Sequence, residues 1–421
     1  ARPPVRRLVI ALAVAVTGTV LTVDALTASS RLRQPGGWLF LESIALWPHF
    51  AVALLWSVSV FSRPRVSRRK DAVLPAALFL VAGVLSILAF CRPKDVLTRA
   101  ILSIDRSAGS IRWVCAGLKG PKENSHNENS PATPTPVVFR DKVYAWFGTA
   151  GMMCCDSAGK LLWTNTDLPF KDIHGVAASP VIADGRLIVV SGNPKTPYMT
   201  ALNPETGKCL WKTDLRPWTG IHGEHRTPLV ISIAGKTVIL NWTIAYGDLA
   251  AYNAKDGMEL WRWPVPIRRT GEAVASIVAE GDRLYLSDKA TMLCVRIASV
   301  PSTLWQRPMR GKGPNASSPV LSKGLLFTVA DTGWASCLDA ATGELYWQER
   351  IAQESLASPI AAGDCVYFPT KAGTTVVIAC DRQFKRLAEN RLPGRLYASP
   401  APVDGQLIVR TTEALWCIGQ E

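Results

Sequence analysis

The chain has 421 residues, of which 48% are hydrophobic and 19% charged, with a mean hydropathy of +0.14. That composition excludes a disordered chain and is too apolar for an ordinary soluble enzyme. The net charge of +14 is concentrated at one end: residues 1–100 hold 13 of the 47 basic and 4 of the 33 acidic residues, leaving 34 and 29 for the rest. Basic residues placed between apolar runs read as a membrane-topology signal, so nucleic acid is excluded as a partner.

Three apolar runs come first. Leu8 to Val23 is uncharged behind Arg2, Arg6 and Arg7; Ser43 to Phe61 is interrupted only by Pro48, His49 and serines; Ala72 to Cys91 has twenty residues without a charge. About 20 apolar residues cross the hydrocarbon as a helix. The runs therefore predict three transmembrane α-helices, at about 8–26, 38–61 and 72–91, in a membrane region spanning 1–94. The first run alone would also suit a cleaved signal sequence. Three basic residues at the N-terminus and five in 62–70 oppose two in 27–37 and three after the third run. The positive-inside rule then places the N-terminus in the cytoplasm and everything after 94 outside it. The expected location is a bacterial cytoplasmic (inner) membrane, multi-pass, with the lipid bilayer as one partner.

Residues 95–421 repeat. A Ser/Thr-Pro element recurs around Pro136, Pro180, Pro228, Ile277, Pro319, Pro359 and Pro400, at spacings of 44, 48, 49, 42, 40 and 41. A second marker, Trp113, Trp163, Trp211, Trp261, Trp305 and Trp347, with Leu387 in seventh place, drifts with it. Each unit predicts four strands, the last two joined by an Asp/Asn-x-x-x-Gly-x-x-x-Trp hairpin such as Asn203/Gly207/Trp211 or Asp339/Gly343/Trp347. The Asx side chain caps the turn, Gly takes positive φ and Trp supplies a packing face. Units four and six depart from this, lacking the Gly turn and, in unit six, the Trp. Four strands every 40–50 residues describe a β-propeller blade. The expected fold is all-β, a seven-bladed propeller whose last blade is completed by the 98–114 segment, with eight blades as the alternative.

ADGRLIVVSG…ALNPETGKCLW and ASSPVLSKGLLFTVADTGWASCLDAATGELYW resemble quinoprotein-type propeller repeats. That family includes pyrroloquinoline quinone (PQQ) dehydrogenases and the propeller lipoprotein of the outer-membrane barrel-assembly machinery. The resemblance covers about 98–421. It implies a binding or scaffolding module for a protein or envelope polymer or, as the alternative, a PQQ- and Ca²⁺-dependent dehydrogenase delivering electrons to membrane quinone. No cofactor is expected, because the repeats supply no metal, carboxylate and aromatic set with an identifying spacing, and Cys-x-x-Cys-His is absent.

Cys154, Cys294, Cys337 and Cys417 fall at one repeat position, where the consensus residue is Ala, and read as small buried hydrophobes. Cys154-Cys155 lies in a predicted strand, where neighbouring side chains point to opposite faces, which disfavours a vicinal bridge. One polar cluster remains. His126, Glu128, Asn129, His174, His222, Glu224 and His225 all precede first strands, in linkers expected at the channel mouth. They form a candidate ligand-binding rim, against the simpler reading of a solvated rim with capping roles. No catalytic residue and no metal is assigned, since no short-range ligand triplet appears.

Overall fold

The computed structural model describes residues 96–218, 225–243, 247–267, 274–298 and 300–419. The three expected helices lie outside these residues, as do His222 and Glu224. Among the described residues no helix is long and apolar enough to cross a membrane.

The described chain is an all-β, seven-bladed propeller. A hairpin comes first, β1 (Val96–Ile104) with β2 (Ile111–Pro121). Blade one is β3 to β6 (Val137–Phe139, Lys142–Trp146, Met152–Asp156, Leu161–Asn165), and blade two is β7 to β10 (Val181–Ala183, Arg186–Ser191, Tyr198–Leu202, Cys209–Asp214). Blade three is β11 to β14 (Leu229–Ile233, Lys236–Trp242, Asp248–Asn253, Glu259–Pro264), and blade four is β15 to β18 (Val278–Glu280, Arg283–Ser287, Thr291–Arg296, Ser302–Pro308). Blade five is β19 to β22 (Val320–Ser322, Leu325–Val329, Trp334–Asp339, Leu345–Arg350), and blade six is β23 to β26 (Ile360–Ala362, Cys365–Pro369, Thr374–Ala379, Arg386–Arg391). The seventh sheet has three strands, β27 to β29 (Ala401–Val403, Gln406–Arg410, Leu415–Gly419). Every neighbouring pair is antiparallel.

Register explains the residue choice within a blade. Phe327 on the second strand, Cys337 on the third and Trp347 on the fourth lie directly opposite one another. The small central residue lets the outer rings meet above it, at 6.0 Å between centroids. Tyr144–Trp163 across Cys154 and Tyr285–Trp305 across Cys294 repeat the arrangement at 5.9 and 6.1 Å. Such aromatic pairs add about 0.5–1.5 kcal/mol beyond area burial. A bulge immediately precedes the Trp in each of these blades, and strand pairing corrects the expectation for blade six: Val377 faces Ala388, and Leu387 is the bulged residue. Ala388, not Leu387, holds the Trp register.

Two inter-blade devices hold the disc together. The fourth-strand Trp of one blade donates its indole N–H to a turn carbonyl of the next: Trp113 to Ser157 (3.0 Å), Trp163 to Pro204 (2.9 Å), Trp211 to Ala254 (3.2 Å), Trp305 to Ala340 (3.1 Å) and Trp347 to Asp381 (3.2 Å). Its ring covers the Gly of that turn; a Cβ on Gly159, Gly207, Gly257 or Gly343 would land on the ring. The second device is an inner ladder. Thr135 N–H donates to the Ser179 hydroxyl, Ser179 to Thr227, Thr227 to Ser276, Ser276 to Ser318, Ser318 to Ser358 and Ser358 to Ser399, at 2.8–3.3 Å. All stand directly before a proline except Ser276, which precedes Ile277. Each hydroxyl satisfies a backbone donor just ahead of a first strand, outside that strand's own sheet.

The seam is built differently. β2 pairs with β1, and β29 pairs with β28, so the two sheets are separate. Trp113 locks the hairpin to blade one, and Arg106 reaches Asp404 of the seventh sheet at 2.9 Å. Both third-strand-like segments of the sequence are strands, β1 and β29. Cys417 corrects another expectation: it is exposed, whereas Cys154, Cys294 and Cys337 are buried. Cys154 and Cys155 belong to different core clusters, as opposite-facing strand neighbours must.

Candidate functional site

The linkers into β3, β7 and β11 carry the rim. Asp172 opens the second of these with an Asx turn, its Oδ1 accepting the His174 N–H at 2.7 Å. Gly175 follows at φ +84°, and a side chain there would press on Ser125 and Asn129. The first linker packs against it through backbone: the His126 N–H donates to the His174 carbonyl at 3.0 Å. The Asn129 amide donates to the carbonyls of His174 (2.7 Å) and Val176 (3.2 Å). Asn129 is thus a structural clasp between linkers, which is the capping role.

The imidazoles converge. The His126 and His174 rings meet edge to face at 5.5 Å, and His174 lies 5.8 Å from His225. His225 is buried, and its Nε2 stands 3.8 Å from Asp172 Oδ1. The ligand atoms of Asp172, His174 and His225 all lie within 4.8 Å of one another. Glu128 bridges outward from this cluster, with Oε2 3.9 Å from His126 Nδ1. Its carboxylate meets Lys371, in the turn between β24 and β25, at 2.5 Å, and Lys371 also holds Glu354 at 2.8 Å. Glu128 first and Glu354 second hold the Lys371 ammonium above the ordinary lysine range. Pairs that keep this much contact with solvent contribute little to stability, and these two fix a charge pattern at the mouth.

His126, Glu128, Asn129, His174 and His225 are therefore brought together on one face, where blade-entry linkers meet second-to-third-strand turns. Sequence reasoning missed Asp172, Lys371 and Glu354. The Asp-x-His spacing of Asp172 and His174 was a usable signal. Lys371 had none, since it reaches Glu128 from five blades further along the chain.

The comparisons agree with this architecture. The family model described as outer membrane protein assembly factor BamB matches residues 98–315 and 301–413. BamB of Yersinia pestis is 26% identical over 254 residues, covering 58% of this chain and 60% of that protein. Tetrathionate hydrolase of Acidithiobacillus ferrooxidans is 22% identical over 273 residues, covering 56% and 52%. The chain thus spans between half and about three fifths of the length of these curated relatives. Among solved structures, BamB from Moraxella catarrhalis superposes with a TM-score of 0.56 at 13% identity, over 78% of this chain and 99% of that one. A quinohemoprotein alcohol dehydrogenase from Comamonas testosteroni gives 0.56 at 12%, over 74% and 67%. At such identities the two structures share the fold with this chain.

Proposed function

The chain belongs to the family of the outer membrane protein assembly factor BamB, and we propose that its propeller is a binding or scaffolding module for a protein or envelope polymer. The family match across 98–315 and 301–413 carries this reading. The blades supply a rigid disc, and the linkers and turns at its mouth supply side chains that face solvent, with His126 and Glu354 largely exposed. Alternating charge at Glu128, Lys371 and Glu354 gives a partner a register to match. Helices at 8–26, 38–61 and 72–91 would anchor the module in the cytoplasmic membrane, with the propeller on the periplasmic side.

The alternative, a PQQ dehydrogenase, has less support. The quinohemoprotein neighbour carries the fold alone. PQQ is a flat tricarboxylate that needs an open aromatic face and free cations at its edge. Near the mouth, the Arg226 guanidinium covers the Trp242 ring at 4.0 Å, and Lys371 is held between two carboxylates. These residues fit that group poorly.

Site-specific photocrosslinking in the full chain, in its own membranes, tests the scaffold. A crosslinker at His126 is expected to give a discrete protein adduct that Lys371→Glu weakens, while one at Met258, exposed elsewhere on the propeller, gives none. Equal adducts from both positions would refute the mouth. A reporter active only outside the cytoplasm, fused after Glu421, is expected to be active, and one in the 62–70 loop silent; the reverse pattern would overturn the topology.

A further inference from the structure

We propose that Asp172, His174 and His225 form a binding site for a single divalent transition-metal ion, with Zn²⁺ as its representative. The inference stands whether or not the mouth captures a protein. Three observations carry it.

The first is the donor set. One carboxylate and two imidazoles converge with all ligand atoms within 4.8 Å of one another. In a tetrahedral zinc site, bond lengths of about 2.0–2.2 Å put donors roughly 3.3–3.6 Å apart. Inward movements of about 1 Å or less therefore close the set around an ion. The second is the buried carboxylate. The Asp172 side chain is 0% exposed, and its Oδ2 has no hydrogen-bond partner. Oδ1 accepts the His174 N–H, while His225 Nε2, at 3.8 Å from it, is beyond hydrogen-bond reach. A carboxylate buried this way is costly unless a cation compensates it. The third is pre-organisation. The Asx turn fixes Asp172 against the His174 backbone, and the Asn129 amide clasps the His174 carbonyl. Partners that orient ligands in this manner are what metal sites require around them.

The ligand types choose the metal class. Two imidazoles with one carboxylate suit Zn²⁺ and its neighbours, whereas Ca²⁺ and Mg²⁺ take oxygen ligands. Three protein ligands leave a fourth position for water or for a donor from a partner. Asp172 and His174 lie in the linker into blade two and His225 in the linker into blade three. A bound ion would therefore pin two blade entries together at the mouth.

The test uses the purified full chain, stripped with chelator and titrated with Zn²⁺ alone at pH 7.5 against a chromophoric competitor. One ion per chain is expected. Asp172→Asn and His225→Gln should each weaken binding by at least about tenfold, and His126→Gln by no more than about twofold, since His126 only packs on a ligand. If Asp172→Asn fails to fold, His174→Gln decides, because His174 is only partly buried whereas the Asp172 and His225 side chains are buried. Co²⁺ in place of Zn²⁺ should give the visible absorption of a four-coordinate ion without a thiolate charge-transfer band. Absence of Zn²⁺ binding, equal affinity in the ligand variants, or a thiolate band that moves the ion to a cysteine would each overturn the proposal.

Discussion

Blade five and the seventh sheet carry the same repeat and come out differently. In blade five, β20 is buried at every residue and β21 along its centre, with Cys337 between Phe327 and Trp347. In the seventh sheet, β28 is mostly half-buried and β29 is largely exposed, with Cys417 opposite Ile408 and, among the described residues, no fourth strand bonded beyond it. The sequence pattern is equivalent; the neighbours are not. Burial in a propeller is conferred by the adjoining sheets, so a repeat next to the seam keeps its strands and loses its core. The stacked blades behave in the same way as other quasi-one-dimensional repeats, in which each unit is stabilised by its neighbours.

Core truncation gives the largest expected difference between the two regions. Phe327→Ala removes a fully buried ring and its contact with Trp347, and should cost about 3–5 kcal/mol. Ile408→Ala, at the matching position of the half-buried β28, should cost less than about 2 kcal/mol, because the site is already partly hydrated. Denaturant unfolding of the two variants reads the difference directly. Equal losses would show that the seventh sheet is as tightly packed as the fifth.

Glycines sharpen the comparison at the level of a single atom. Gly343 has φ +75° and lies under the Trp305 ring of the preceding blade, whereas Gly405 has φ +76° and no heavy atom within 4 Å of an added Cβ. Gly405→Ala isolates the backbone cost, about 1–2 kcal/mol. Gly343→Ala adds displacement of the indole and should cost about 1–3 kcal/mol more. Melting temperatures in that order support the Trp-on-Gly lock; a Gly405→Ala variant as damaged as Gly343→Ala would assign the whole effect to φ.

The inner ladder predicts a smaller step. Ser318→Ala takes away the acceptor of the half-buried Ser276 N–H and should cost about 1–3 kcal/mol. Ser399→Ala removes the acceptor of the exposed Ser358 N–H, which water can replace, and should cost well under 1 kcal/mol. Hydrogen exchange at the two amides locates the change: Ser276 should lose protection and Ser358 barely respond.

These contrasts also mark where the sequence was legible. The strand order, the Asx turns at Asp105, Asn203, Asn253 and Asp339, and the blade count follow from local chemistry repeated at a fixed period, and so could be read. The Ser/Thr-Pro element was visible as a marker, but its role was not, because each hydroxyl acts on a residue 40–49 positions away. Leu387 was aligned with the tryptophans by its place along the chain, whereas strand pairing puts Ala388 opposite Val377. At the mouth, the histidines were found because three successive linkers carry them. Asp172 was not singled out, and Lys371 was out of reach because only closure of the ring brings blade six to the linker before blade one.

The smallest effects, and the most local, are expected at the cysteines. Burial pushes the Cys337 thiol from its ordinary 9.0 up to about 12, and Cys154 likewise to about 12 and Cys294 to about 11. Only the thiolate reacts with alkylating reagents. At pH 8, Cys209 and Cys417, both exposed, should therefore label quickly in the folded protein, while Cys154, Cys294 and Cys337 should label only on unfolding. The same shifts set a sign for stability. A raised folded pKa favours the neutral thiol, so its contribution is present in full below about pH 9 and is lost as pH rises from there through about 12. Cys337→Ala should flatten the alkaline fall in melting temperature, and Cys417→Ala, at the equivalent but exposed position, should leave it unchanged. Peptide mapping after brief labelling checks the first half of this prediction and a melting series from pH 8 to 10.5 the second. Fast labelling of Cys337 would mean that blade five opens as readily as the seam, and the contrast between a repeat with two neighbours and a repeat at the edge would fail at its most sensitive probe.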